Sequence, residues 1–171
     1  MRIIAGSLKG RKLLTPTTDA IRPTSDRMRE AVFNVLMHGQ FGGAAVIGQR
    51  VMDICCGTGA FGLEAISRGA AHCSFIDQDR NAIDLTRQNA EHCGVTAKAH
   101  CIQADASRLP PTREPVALAF MDAPYASPLT VAAYTSLRTG GWLVQDSLFL
   151  VGAGKDQPRD RIARYRIAGS P

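Results

Sequence analysis

Three closely spaced glycines behind a short apolar run are the feature that most limits how this chain can fold. The run over 51–56 is typical of a buried strand, and Gly57, Gly59 and Gly62 then follow the pattern G-x-G-x-x-G. Asp77 ends the next strand-like run, where a carboxylate can accept both hydroxyls of a ribose. A strand, a glycine turn and a helix in this order indicate a site for a nucleoside-containing cofactor. The alternative is a glycine turn that serves only the close packing of strand and helix.

Strand-like and helical stretches alternate from residue 50 onward. The predicted strands are Val51–Cys56, His72–Asp77, Ala99–Gln103, Val116–Asp122 and Leu148–Val151, followed by a last short strand over Arg161–Ile167. Helical spacing covers about 60–68, 79–92 and 128–138. Strands that alternate with helices form βαβ units, so we predict an α/β, Rossmann-like fold with a mostly parallel sheet and helices on both faces. Such sheets bind ligands at the carboxyl ends of their strands.

The first 40 residues follow a different pattern from the rest of the chain. Two short strands, Arg2–Gly6 and Arg11–Leu14, are predicted on either side of a glycine-containing turn, which makes a small basic hairpin. Thr24 or Ser25 can cap a following helix, whose apolar residues recur at helical spacing. We therefore expect a hairpin-and-helix extension over 1–40 and a cofactor-binding catalytic domain over 41–171.

The net charge of +5 is divided unevenly along the chain. Residues 1–30 hold seven basic and three acidic groups, a net charge of +4, and residues 155–166 hold five and two, a net charge of +3. The remainder holds eight basic and ten acidic groups and is therefore mildly negative. Basic ends can bind a polyanion or form an ordinary solvated surface, and charge alone does not separate these two interpretations.

Length and composition restrict the class of protein. A chain of 171 residues with 45% hydrophobic residues suffices for one globular unit with its own core. Because no apolar run approaches the roughly 18 residues that span a bilayer, and the first residues lack the pattern of a signal peptide, we expect a soluble, cytoplasmic protein. The cysteines contain no C-x-x-C pair, so we interpret them as reduced, buried residues that bind no metal: Cys55, Cys56, Cys73, Cys93 and Cys101.

Charge also separates the candidate cofactors. A dinucleotide would place its pyrophosphate over the glycine turn, where Asp53 would repel it. S-adenosylmethionine brings an ammonium and a sulfonium instead, and Asp53, expected at the strand tip, suits the ammonium or its bound water. Asp105, which follows the third predicted strand, can accept from the adenine amine. Three carboxylates around one pocket, Asp53, Asp77 and Asp105, favour this cationic cofactor, although each can also be a surface or helix-capping group.

The fourth predicted strand ends in the sequence Asp122-Ala123-Pro124-Tyr125. Methyl transfer to an exocyclic amine is hindered because the nitrogen lone pair is delocalised into the ring. The Asp122 carboxylate and the Ala123 carbonyl could each accept a hydrogen bond from one N–H group of the amine, which would turn the lone pair towards the methyl group. Tyr125 can stack on the base. Pro124 biases Ala123 to an extended backbone. The alternative is a strand-ending turn with a buried tyrosine.

These motifs carry a family resemblance. The pattern Asp53-x-x-x-Gly57-x-Gly59, with Asp77 and the sequence 122–125, resembles class I S-adenosylmethionine-dependent amino-methyltransferases, whose strand-four motif is usually Asp/Asn-Pro-Pro-Tyr/Phe. The segments 2–6, 10–11, 22–24 and 29–36 further resemble the bacterial RsmD family, which methylates the N2 amine of a guanine in 16S ribosomal RNA. The similarity runs from residue 1 to about 151. Ala123 replaces the usual first proline, and the chain after Val151 does not clearly supply the usual final strand pair.

The resemblance implies a role for each matching position. It implies cofactor contacts at Asp53, Gly57, Gly59, Asp77 and Asp105, with the helix from Thr24 near the methionine end. It implies an amine site formed by Asp122, Ala123, Pro124 and Tyr125, and RNA contacts at Arg2, Lys9, Arg11, Lys12 and Arg22. The expected partner is 16S ribosomal RNA, naked or within an assembled small subunit, and the expected state is a monomer. No metal is needed.

Other functions use the same motifs. The amine motif also serves methyltransferases that act on DNA adenine or on protein glutamine. A nicotinamide-dependent oxidoreductase would use the same glycines, although the sequence lacks an obvious Tyr-x-x-x-Lys pair and Asp53 opposes a pyrophosphate. A third alternative is an RNA-binding protein that keeps the fold without catalysis, which the intact Asp122 and Tyr125 argue against.

Overall fold

A computed structural model describes residues 1–16, 26–38, 41–122 and 128–152 of the chain. Its helices are α1 (Asp26–Met37), α2 (Ala60–Ser67), α3 (Arg80–His92) and α4 (Pro128–Thr139), and its strands are β1 (Arg50–Ile54), β2 (His72–Asp77), β3 (Ala99–Gln103), β4 (Val116–Met121) and β5 (Leu143–Val151). Two single 3₁₀ turns cover Thr96–Lys98 and Ala106–Arg108. The order of these elements confirms the predicted α/β alternation.

The five strands form one sheet in the order β3-β2-β1-β4-β5, and every neighbouring pair is parallel. The chain builds outward from β1 through β2 to β3 and then returns to the other side of β1 for β4 and β5. In parallel α/β sheets, ligands bind where the strand order reverses, outside the carboxyl ends of the strands. This sheet therefore places its candidate site above the carboxyl ends of β1 and β4.

Helices cover both faces of the sheet, and each face has its own core. Buried residues of α1, α2 and α3 pack together on one face, whereas α4 packs on the other with Trp142 and the turn after β3. Three aromatic rings link the elements of the first face. The ring centroids of Phe33 in α1 and Phe61 in α2 lie 4.7 Å apart. Phe61 in turn stacks on Phe120 of β4, with the ring centroids 3.7 Å apart. The first helix is therefore held against the centre of the sheet.

The strand bounds agree with the sequence prediction for β2 and β3 and differ for the other three. β1 ends at Ile54, two residues early, because Cys55 turns the backbone with a φ of 57°. β4 ends at Met121. β5 begins at Leu143, five residues before the predicted start, because its pairing with β4 already starts between Leu143 and Val116, ahead of a register irregularity. The strand predicted over Arg161–Ile167 lies outside the described residues.

The predicted N-terminal hairpin forms with less regular pairing than two strands. Arg2 and Lys12 make one isolated antiparallel bridge, and the amide of Ile3 donates to the Arg11 carbonyl at 2.9 Å. Ile3 and Leu13 are buried in the same core as α1, α2 and α3. The described part of the 1–40 extension therefore packs into the core of residues 41–152. The candidate caps of α1, Thr24 and Ser25, lie outside the described residues.

Candidate functional site

Acidic side chains follow the strands at the carboxyl edge of the sheet. Asp77 ends β2, Asp105 follows β3, Asp122 follows β4, and Asp53 lies inside β1, one residue before its end. The charges of Asp77 and Asp122 act on Asp53, and the charges of all four carboxylates act on Cys55, the residue after β1. The structure thus brings the four predicted carboxylates around the turn after β1 and gives this edge a negative potential.

Asp53 is buried inside the site, although the sequence predicted it at the strand tip. Its side chain is only 3% exposed, and its Oδ2 accepts the backbone amide of Gly62 at 2.9 Å. Burial raises the pKa of Asp53 to about 8, with further contributions from the charges of Asp122 and Asp77, while the Gly62 hydrogen bond and Arg29 act in the opposite direction. Near neutral pH this carboxyl can therefore gain or lose a proton as its surroundings change.

Asp77 holds the glycine turn closed. Its Oδ2 accepts the amide of Gly57 at 3.0 Å and its Oδ1 accepts the amide of Asp79 at 3.0 Å. The side chain is half-buried. Each carboxylate oxygen has a second acceptor position, so hydroxyl donors can still approach this group from solvent.

Asp105 is an exposed capping residue at the same edge. Its Oδ1 accepts both the amide and the hydroxyl of Ser107, at 2.9 Å and 2.7 Å. These two hydrogen bonds hold the pKa of Asp105 below its ordinary value. The carboxylate therefore stays ionised in a fixed orientation.

Cys55 is a site residue that the sequence analysis did not single out. It is the one non-glycine residue with a positive φ among the described residues, and its half-buried side chain lies within the electrostatic influence of all four carboxylates. Burial and the negative charges around it raise the pKa of the thiol to about 12. The thiol is therefore neutral at physiological pH and a weak nucleophile. No motif in the sequence would have shown its backbone conformation.

The glycine loop is packed tightly against α3 and β2. A Cβ at Gly59 would lie 2.8 Å from the side chain of Thr86, and a Cβ at Gly62 would lie 2.5 Å from the Cys73 sulfur. Thr86 also donates to the Gly57 carbonyl at 3.0 Å. Close packing thus explains Gly59 and Gly62, and it coexists with the carboxylates that line the turn.

Part of the predicted amine site lies outside the described residues. Asp122 is described and exposed directly after β4, while Ala123, Pro124 and Tyr125 lie in the undescribed range 123–127. Thr24 and Arg22, predicted to contact cofactor and RNA, lie in the undescribed range 17–25. The roles assigned to these five residues stay predictions.

The hairpin presents four exposed basic residues, as predicted: Arg2, Lys9, Arg11 and Lys12. Arg11 donates through Nη1 to the carbonyl of His92 at 3.3 Å, at the end of α3. The other face of the hairpin is docked on α2. Ser67 receives the amide of Leu8 on its hydroxyl at 2.9 Å and the amide of Ser7 on its carbonyl at 2.8 Å. The basic side chains are therefore carried by a fixed backbone.

A buried carboxylate on α2 anchors the hairpin and was missed by the sequence analysis. Glu64 is completely buried and accepts the amides of Ile4 and Ala5 at 2.8 Å and 3.0 Å. It also accepts from Arg68 at 2.7 Å, and the Nε of Arg29 lies 3.8 Å away. Glu64 therefore ties the hairpin, α1 and α2 together. Its position in an ordinary helical stretch gives no signal of this role.

The described ranges contain neither a metal cluster nor a membrane span. No group of three or more His, Cys, Asp or Glu side chains in them could hold a metal ion, and no helix in them is both long and apolar enough to cross a bilayer. All five cysteines are free thiols, and Cys56, Cys73 and Cys93 are buried as predicted. The prediction of burial is wrong for Cys55 and Cys101, which are half-buried.

Comparisons with known proteins agree with this architecture. A family model described as "Conserved hypothetical protein 95" matches residues 1–167. The chain is 33% identical over 152 residues to "Ribosomal RNA small subunit methyltransferase D" of Escherichia coli strain K12, covering 88% of this chain and 73% of that protein. It is 38% identical over 108 residues to "Putative rRNA methyltransferase YlbH" of Bacillus subtilis, covering 63% of this chain and 55% of that protein. The chain thus spans little more than half the length of the second relative.

Solved structures share the fold. "Putative methyltransferase yhhF from Escherichia coli" superposes with a TM-score of 0.73 at 32% identity, covering 88% of this chain and 79% of that one. A more distant neighbour is an S-adenosylmethionine-dependent methyltransferase from Thiobacillus denitrificans in complex with S-adenosyl-L-homocysteine. Its TM-score is 0.58 at 20% identity, covering 76% of this chain and 49% of that one. The fold is therefore the Rossmann-like fold of class I methyltransferases.

Proposed function

The chain belongs to the RsmD family, described as Conserved hypothetical protein 95, and from that premise we propose that it transfers a methyl group from S-adenosylmethionine to the N2 amine of a guanine in 16S ribosomal RNA. The observation that carries this proposal is the arrangement of Asp53, Asp77, Asp105 and Asp122 around the turn after β1. A cluster of carboxylates at the switch point of a parallel sheet favours a cationic ligand.

The residues at this edge suit S-adenosylmethionine better than a dinucleotide. The carboxylates attract its ammonium and sulfonium charges and would repel a pyrophosphate. Asp53 lies deepest, and a nearby cation favours its ionised form, which reverses part of the upward shift that burial gives its pKa. Asp77, half-buried at the end of β2, is the candidate acceptor for the ribose hydroxyls. Asp105, held by Ser107, is the candidate acceptor for the adenine amine.

The proposed amine site begins at Asp122, the exposed residue directly after β4. When bound, the cofactor supplies an electrophilic methyl group on a positively charged sulfur. The Asp122 carboxylate and the Ala123 carbonyl accept hydrogen bonds from the two N–H groups of the amine. They thereby hold the nitrogen lone pair out of conjugation with the base. Asp122 or a water molecule would take the proton that the amine gives up when it gains the methyl group. The protein contributes mainly proximity and orientation.

The hairpin is the candidate RNA contact. Arg2, Lys9, Arg11 and Lys12 are exposed on a backbone fixed to α2, so their charges meet phosphates without a large ordering cost. Structured RNA is recognised largely through its backbone and shape, which suits a small basic projection. We propose 16S RNA, naked or within an assembled small subunit, as the partner of this surface.

A methyl-transfer assay tests the proposed function. Purified protein with labelled S-adenosylmethionine should label 16S RNA or small subunits at a guanine N2 position and should leave duplex DNA unlabelled. Asp122→Ala should lose transfer while its affinity for S-adenosylhomocysteine, measured by calorimetry, stays within about twofold of wild type. Asp146→Ala removes an exposed carboxylate at the far end of β5 and serves as the matched control.

Three results would overturn the proposal. Binding of NAD in preference to S-adenosylhomocysteine would favour an oxidoreductase. Labelling of duplex DNA or of a protein glutamine instead of RNA would change the substrate class. Wild-type turnover in Asp122→Ala would rule out the proposed role of Asp122 in orienting the amine, even if RNA were the substrate.

A further inference from the structure

Gly152, at the end of β5, lies directly against the carboxylate of Asp122. The amide of Gly152 donates to the Met121 carbonyl at 2.9 Å, which fixes the end of β5 beside the end of β4. A Cβ at Gly152 would lie 2.6 Å from the Oδ1 of Asp122, and the three nearest atoms that it would meet all belong to Asp122. The space that a side chain would occupy here is therefore taken by the candidate catalytic carboxylate.

The backbone at Gly152 does not itself require glycine. Its φ lies outside the left-handed region, so an alanine would adopt this conformation without strain. Gly6 is a contrasting case, because it combines a φ of 84° with close contacts to the backbone of Ser67. At position 152 the closest obstructing atom is the end of a side chain, and rotation of the Asp122 side chain can relieve the overlap. A substitution there should move the carboxylate and leave the fold intact.

We propose that Gly152 is a positioning residue that sets the orientation of the Asp122 carboxylate. The absence of a side chain at Gly152, the residue directly after β5, lets Oδ1 of Asp122 rest against the backbone there, which favours one orientation of the carboxylate. This inference rests on the proposed role of Asp122 in orienting the amine. It adds a determinant from β5, a strand outside both the glycine loop and the motif after β4.

A double-mutant cycle tests whether Gly152 acts through Asp122. Gly152→Ala should lower kcat by about tenfold or more, because a displacement of about 1 Å at a reacting group can cost up to about 100-fold. The Kd of S-adenosylhomocysteine and the melting temperature should stay close to those of wild type. Whatever residual transfer Asp122→Ala retains should not fall further in the double variant, since the effect of Gly152 passes through that carboxylate. Val144→Ala, an exposed change at the other end of β5, is the control.

A spectroscopic measurement separates this inference from the proposed function. In protein labelled with carbon-13 at the aspartate carboxyls, the Asp122 resonance is identified by its loss in Asp122→Asn. We expect it to shift in Gly152→Ala and to stay in place in Val144→Ala, whatever the enzyme methylates. An unmoved resonance, or kcat losses that simply multiply in the double variant, would overturn the positioning role. Failure of the wild-type enzyme to methylate RNA, with a shifted resonance, would instead overturn only the proposed function.

Discussion

The side-chain amide of Asn89 pairs with both backbone groups of Leu14, accepting from its nitrogen at 2.7 Å and donating to its oxygen at 3.1 Å. The same Nδ2 donates to the Thr58 carbonyl in the glycine loop at 2.9 Å. Asn89 is completely buried on α3. One side chain thus contacts both the second arm of the hairpin and the loop of the candidate cofactor site.

Replacing Asn89 with alanine should destabilise the whole chain. The substitution removes the partner of the buried Thr58 carbonyl and of the two part-buried backbone groups of Leu14, and we expect a loss of about 3 kcal/mol in the free energy of unfolding. Urea denaturation measures the loss. Asn81→Ala, an exposed change on the same helix, should alter stability by less than about 0.5 kcal/mol. Similar losses in the two variants would contradict the bridging role of Asn89.

Glu64 allows a test of whether burial or a short distance decides how much an ion pair contributes to stability. Glu64→Ala removes a fully buried carboxylate, takes the ion-pair partner from Arg68 and leaves the buried Arg29 with only the half-exposed Asp26 as a charge partner. We therefore expect a loss of about 3 to 5 kcal/mol in the free energy of unfolding. Glu114→Ala breaks a pair with Arg50 that is only 2.6 Å long but exposed, and should cost less than about 1 kcal/mol. Thermal or urea unfolding of both variants decides the comparison. Equal losses would show that Glu64 does not anchor the hairpin.

Asp53 should make stability depend on pH. Its pKa is about 8 in the folded protein and 3.8 in the unfolded chain, so between these values the unfolded state binds fewer protons and stability falls as pH rises. Asp53→Asn keeps an acceptor for the Gly62 amide and does not titrate. The stability of this variant relative to wild type should therefore grow from pH 5 to pH 8, by up to about 1.4 kcal/mol per pH unit. A constant difference at the two pH values would contradict the shifted pKa.

The hairpin lysines should contribute to RNA affinity through salt-dependent contacts. If Lys9 and Lys12 each meet a phosphate, changing both to alanine should reduce the slope of log affinity against log salt by about 1 to 2. Filter binding to 16S RNA over a range of salt concentrations measures this slope. As a control, Arg113 and Arg138, two exposed arginines outside the hairpin, are both changed to alanine. This double change should leave the salt slope unaltered. Equal reductions of the salt slope by the two pairs of substitutions would rule out the hairpin as a specific RNA-binding surface.

Local patterns in the sequence were sufficient to predict most of the fold. The bounds of β2 and β3 match the prediction, since apolar runs there end at clear polar residues such as Asp77. β5 starts earlier than predicted because Gln145 and Asp146, which are exposed, interrupt the apolar pattern that marks a strand. The edge of a sheet tolerates such residues, so hydrophobic periodicity alone underestimates the strand.

Site residues could be predicted from the sequence only where they lie at the carboxyl end of a predicted strand. The four carboxylates could be placed at one edge because parallel strands end together. Glu64 could not be predicted, because its partners Ile4 and Ala5 lie about 60 residues away and nothing local marks it as buried. Gly152 could not be predicted either, since its contact with Asp122 depends on the pairing of β4 and β5.

The docking of the hairpin also fixes an order of assembly during synthesis. Ile4 finds its partner 60 residues later in the chain, and Leu14 finds its partner 75 residues later. The ribosome therefore completes the hairpin long before α2 and α3 exist to receive it. Contacts of such long range form slowly, because distant parts of the chain must be brought together first. The hairpin thus docks only after α2 and α3, which provide its partners, have been made.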